Sequence, residues 1–147
     1  SSSFQLEVSR RPYHGWGGAR TQYRIPITDD MIVECDTRSK AIIATPSILQ
    51  RDQRPDAIFC VNDDCAAGVL HVAKILGMTN PNDLSICGFS DAPFCRATQP
   101  MLTTVQQHGV DIGKRAMQRL LIRLNGDDKI PQTEMVPTDL IVRETTK

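Results

Sequence analysis

The chain has 147 residues, with 17 basic and 17 acidic side chains and a formal net charge of zero. At that length one compact domain buries roughly two-thirds of its unfolded surface, so a hydrophobic core needs neither disulfides nor metal. A hydrophobic fraction of 40% and a charged fraction of 23% exclude long disorder. Zero net charge argues against a dedicated nucleic-acid-binding domain in these residues, which would carry a clearly basic surface. No run of about 18 apolar residues is present, so no membrane span is expected. The first residues lack the basic and apolar regions of a secretory signal, and the opening on Ser1 is read as processing or excision from a longer chain. Cys35, Cys60, Cys65, Cys87 and Cys95 are odd in number and contain no CxxC. They read as reduced, buried thiols of a cytoplasmic protein rather than a disulfide framework. His14, His71 and His108 make no ligand spacing with them, so neither a metal nor another cofactor is expected.

The elements begin after residue 30. Met31-Ile32-Val33 is a short apolar run, and residues 38–50 carry Ala41, Ile42, Ala44, Ile48 and Leu49 at helical spacing. Pro46 predicts a kink or a fresh start there. Ala57-Ile58-Phe59-Cys60-Val61 is apolar throughout, which predicts a strand covered on both faces of a parallel sheet. Asn62-Asp63-Asp64 offers N-caps to a helix over residues 65–76, and Gly77 is placed to end it. Leu84-Ser85-Ile86-Cys87-Gly88-Phe89 is a second strand, and Leu102-Thr103-Thr104-Val105 reads as a further strand or an extended crossover. Between them, residues 90–100 are irregular. Residues 110–124 form the clearest amphipathic helix, with Ile112, Ala116, Leu120 and Leu124 on one stripe. Met135-Val136 and Leu140-Ile141-Val142 read as two last strands separated by Pro137.

Alternation of this kind points to right-handed βαβ units, an α/β class and a parallel sheet. Ligands of such sheets bind at the carboxyl ends of the strands. Asn62-Asp63-Asp64 and Ser90-Asp91 follow two of them. If those strands are neighbours, Asp63, Asp64 and Asp91 stand close together as hydrogen-bond acceptors for ligand hydroxyls, with Asn62 able to donate and accept. For Asp64 a helix-capping position suffices and is the preferred reading, while Asn62 is open to either role. A nucleophile at Cys60 or Cys65 with His71 as base and Asp63 as orienter is weak: Cys60 lies in an apolar strand, where burial makes a thiol inert. Gly15-Trp16-Gly17-Gly18 follows no apolar strand and lacks the GxGxxG spacing of a phosphate loop.

From residue 54 the sequence becomes specific. Arg54-Pro55-Asp56-Ala57-Ile58-Phe59-Cys60-Val61-Asn62-Asp63 is followed by Ala66-Ala67-Gly68. Then come Asp83-Leu84-Ser85-Ile86-Cys87-Gly88-Phe89-Ser90-Asp91, Pro100-Met101-Leu102-Thr103-Thr104-Val105 and Arg143-Glu144-Thr145-Thr146. Together these resemble the effector-binding domain of LacI/GalR-family transcriptional regulators, over about residues 13–147. The resemblance implies a periplasmic-binding-protein-like (type I) fold, matched in its later half only. Residues 1–104 would be the second subdomain, 105–138 a part of the first, and 139–147 a return strand to the second. It implies a small effector, a sugar or a nucleoside-like molecule, in the cleft between lobes. It also implies a homodimer through the helix 65–76 and the segment around Phe94-Cys95, and DNA contact only through a domain outside this chain. The implied ligand residues are Asn62, Asp63, Ser90 and Asp91, with Thr37 near the place of an aromatic platform and Arg11 near that of an arginine contact. Ser90 stands where relatives carry an Asp, and Pro12 where they carry the Arg. No catalysis and no membrane partner are expected. A periplasmic-type sugar-binding fragment and an unrelated α/β enzyme are the competing readings.

Overall fold

The computed structural model describes residues 7–26, 28–126, 130 and 132–147, with the side chains of residues 7–13 and 29 outside the described set. Helix α1 spans Glu7–Gln22, α2 Arg38–Leu49, α3 Asp63–Ile75 and α4 Gly109–Leu124. Strands β1 (Ala57–Phe59), β2 (Ser85–Ser90), β3 (Thr103–Gln106) and β4 (Asp139–Ile141) form one sheet in that order. β1, β2 and β3 are parallel, with Ile58 opposite Ile86 and Gly88 opposite Thr104. β4 closes the sheet antiparallel to β3, with Leu140 opposite Val105.

Local chemistry accounts for the two helices that cover this sheet. Asn62 caps α3, its side-chain oxygen accepting from the Cys65 N–H at 2.7 Å. Asp63 and Asp64 in the first turn and Lys74 in the last suit the helix dipole. Thr37 caps α2 through the Lys40 N–H. The small residues of α3 let α2 come close: a methyl at Gly68 would sit 2.8 Å from the Arg38 carbonyl. The core lies between this helical layer and the sheet and includes Ala41, Leu49, Cys60, Ala66, Val69, Leu70, Ala73, Leu84, Ile86 and Leu102. Pro46 does not break α2, which runs on through Leu49, with the Gln50 N–H returning to the Pro46 carbonyl at 3.1 Å.

Three expectations need correction. β1 is parallel as expected, yet it is covered on one face only: Cys60 is buried while Phe59 is 38% exposed, because α2 and α3 cover the same side of the sheet and no described element covers the other. Met135-Val136 forms no strand; residues 132–138 carry no regular structure, and Pro137 has no N–H to give a ladder. Residues 7–22, assigned no element from sequence, are helical despite Pro12, Gly15, Gly17 and Gly18. Met31 of the run Met31-Ile32-Val33 ends a 3-10 turn at Asp29–Met31, and Ile32 and Val33 follow without regular structure. The helix expected over residues 110–124 is present as α4, but none of its residues is buried.

Candidate functional site at the carboxyl edge of the sheet

Because β1 and β2 run parallel with Phe59 opposite Cys87, the chain leaves both strands at the same end of the sheet. Asn62 and Ser90 therefore share one edge. The Asn62 amide does two things there. Its oxygen caps α3, and its nitrogen donates to the Asp36 carbonyl at 3.0 Å, joining the turn before α2 to the start of α3. Thr37 is brought to the same corner by that bond. The Asn62 oxygen keeps a second lone pair and the nitrogen a second hydrogen for a ligand.

Ser90 is exposed at the end of β2, with φ 124°, and the following Asp91 has φ 55°. Both values lie where an L side chain is strained, the kind of backbone that persists only when its surroundings hold it. What holds it is a polar network under the edge. Asp63, 2% exposed, accepts from the Ala92 N–H at 2.7 Å and from the Thr104 hydroxyl at 2.6 Å. Asp91 pairs with Arg143 with both side chains nearly buried, and Arg96 lies 3.5 Å away on its outer side. The Arg143 guanidinium also donates to the Leu102 carbonyl at 2.7 Å. One partner removed from such a set leaves a buried charge or acceptor unmet, which is costly. Gly88 makes room for the network, since a Cβ there would fall 2.2 Å from the Asp63 carboxylate.

The structure thus brings Asn62, Asp63, Ser90 and Asp91 together and sets Thr37 beside Asn62. Asp63 and Asp91 spend their oxygens within the framework, leaving Asn62, Thr37 and Ser90 with groups toward the open edge. Asp64 points outward and pairs with Arg38 at 2.9 Å. The Arg11 side chain lies outside the described residues, though its backbone belongs to α1. Sequence reasoning missed Gln107, which the Ser90 hydroxyl reaches at 3.3 Å. It also missed Thr104 and Arg143 as partners of the two carboxylates, and only the strand register could have pointed to Gln107 and Thr104.

Burial pushes the Cys60 thiol far up and the Cys65 thiol up to about 11, so neither is a thiolate poised for fast covalent catalysis at neutral pH. His71 stands exposed on the outer side of α3 while Cys65 is buried. Cys95 is pushed up to about 12 by burial and by its neighbour Asp63. Among the described residues no group of His, Cys, Asp or Glu is arranged to hold a metal ion, and no helix is long and apolar enough to cross a membrane.

The sequence profile of the periplasmic binding protein-like domain matches residues 11–146. This chain belongs to that family. Catabolite control protein A of Priestia megaterium is 36% identical over 134 residues, covering 90% of this chain and 40% of that protein. The HTH-type transcriptional repressor PurR of Vibrio atlanticus is 31% identical over 137 residues, with the same two coverages. The solved structure of a putative LacI-family regulator from Sanguibacter keddieii is 33% identical, with a TM-score of 0.87 over 95% of this chain and 53% of that one. The likeness to LacI-type regulators read from residues 54–146 therefore stands, as does the α/β periplasmic-binding-protein-like fold. The chain spans about 40% of the length of these curated relatives. They are transcriptional regulators rather than enzymes.

Proposed function

We propose that this chain is the small-molecule-sensing and dimer-forming part of a cytoplasmic LacI-type transcriptional regulator. Its ligand is a sugar or a nucleoside-like molecule. Residues 1–104 and 139–147 make the second lobe and 105–138 a piece of the first, and DNA is reached only through a domain outside these residues. The observation that carries the reading is the carboxyl edge itself. Asn62, Thr37 and Ser90 offer neutral donors and acceptors to a hydroxylated ligand, and the pair Asp91–Arg143 with the buried Asp63 holds that edge rigid. The exposed stripe of α4, with Leu120 52% and Leu124 72% accessible, supports its belonging to another lobe. A two-fold self-contact runs over the outer side of α3, where Ile75 is 69% exposed, and past Phe94, which lies under the Arg38 guanidinium at 5.3 Å. Closure on a ligand alters a distant site only if the open and closed arrangements bind that ligand differently.

A panel of sugars and nucleosides, screened by thermal shift on the regulator that contains this chain, tests the reading. One class is expected to raise the melting temperature in a concentration-dependent way. A panel that leaves it unmoved at millimolar concentration contradicts the proposed ligand class.

A further inference from the structure

The binding role leaves the cysteines without a use. Cys35, Cys60, Cys65 and Cys87 gather where β1 meets the start of α3, close enough that the other three all act electrostatically on Cys60. Strand register separates one of them. Cys87 stands opposite Phe59 in the ladder, on the side of the sheet that Phe59 and Phe89 share and α3 does not cover. Cys60 is buried beneath the helices, and Cys95 is wholly buried in the turn Pro93–Arg96. Cys35 and Cys65 remain. The Cys65 thiol donates to the Cys35 carbonyl at 3.6 Å. The same two stretches are already joined by Asn62, which caps the Cys65 N–H and donates to the Asp36 carbonyl. Cys35, like Cys87, is only partly buried and so within reach of a small oxidant, and of the two it is Cys35 whose carbonyl the buried Cys65 thiol touches.

We propose that Cys35 and Cys65 form a reversible disulfide when the protein meets a hydroperoxide. The Cys35 sulfur attacks the peroxide oxygen, giving the sulfenic acid of Cys35 and releasing an alcohol, or water from hydrogen peroxide. The Cys65 sulfur then attacks the Cys35 sulfur, the S–O bond breaks and water leaves. In sum two thiols give up two electrons and two protons, and one hydroperoxide becomes one alcohol and one water. The new bond spans the junction that Asn62 now holds by hydrogen bonds, and so fixes Thr37 against the first turn of α3. Burial holds both thiols above their ordinary range, so the reaction is slow at neutral pH and quickens as pH rises.

The test is hydrogen peroxide treatment of the purified protein at pH 7 and pH 8, alkylation of remaining thiols, digestion without reductant and mass spectrometry. A linked Cys35–Cys65 peptide is expected, abolished by dithiothreitol and formed about tenfold faster at the higher pH. Cys60→Ser and Cys87→Ser retain the link, and Cys65→Ser stops at oxidised, unlinked Cys35; circular dichroism melts show that each variant is folded. Wild-type protein in which Cys35 advances to the sulfinic acid without a link overturns the proposal. So does linkage of Cys65 to Cys60 or Cys87 in equal yield.

Discussion

Helices α3 and α4 are of similar length and both carry an apolar stripe, yet they meet opposite fates. α3 buries Cys65, Ala66, Val69, Leu70, Val72 and Ala73 against α2 and the sheet. α4 has no buried residue among those described, and its Arg115 and Arg119 pair with Glu134 of the segment that follows. Periodicity in a sequence declares that a helix has a face to cover; it does not say what covers it. For α3 the cover is in this chain, and for α4 it is not among the described residues.

The largest effect that can break this contrast lies in the core. Ile86→Ala, at a fully buried position, is expected to cost about 2–5 kcal/mol in urea denaturation of this chain. Leu120→Ala on α4 is expected to stay within about 0.5 kcal/mol. Equal costs would mean that α4 is packed after all. Glycines sharpen the same point with opposite signs. Gly88→Ala drives a methyl into Asp63 and should destabilise by about 1–3 kcal/mol. Gly113→Ala in α4 meets nothing within 4 Å and should stabilise by up to about 1 kcal/mol; a loss there would reveal a hidden neighbour. A smaller effect belongs to the cap. Asn62→Ala should cost about 1 kcal/mol while Asn62→Ser, which keeps an acceptor, costs less. Equal melting of the two would remove Asn62 as the organiser of that corner.

The smallest effect is one of pH. Hydrogen bonds from Arg115 and Arg119 hold the exposed Glu134 carboxyl below its ordinary value. A folded-state value below the unfolded one contributes stability above the unfolded value, about pH 4.3, and that contribution is lost as pH falls through the folded value. The Glu134 carboxyl resonance should therefore titrate with a midpoint below about pH 4.3, and a midpoint at or above it contradicts the contact.

Much of the sheet side was legible because its signals are local. The run from Ala57 to Val61, the Asn62 cap, the small residues of α3 and the Gly77 stop lie within a few residues of one another. The sequence from Arg54 to Thr146 also carried the family likeness. What was not legible joins distant positions. Asp63 meets Thr104 across 41 residues and Asp91 meets Arg143 across 52, and no periodicity records either pairing. Ser90-Asp91 consequently read as two ligand groups, and no local signal showed that Asp91 also pairs with Arg143. α1 was missed because Pro12 and three glycines lower its intrinsic helix preference. The apolar character of Ala57, Phe59 and Val61 correctly announced a strand, but could not show that one of its faces is left uncovered by the described residues.

The central claim is that the shared edge of β1 and β2 binds the ligand. The most direct measurement is calorimetric titration of the regulator containing this chain, comparing wild type with Ser90→Ala. Loss of one hydroxyl contact is predicted to weaken affinity by roughly tenfold while the unliganded melting temperature stays within a degree or two. Unchanged affinity in Ser90→Ala, and again in Asn62→Ser, would contradict a ligand site at this edge.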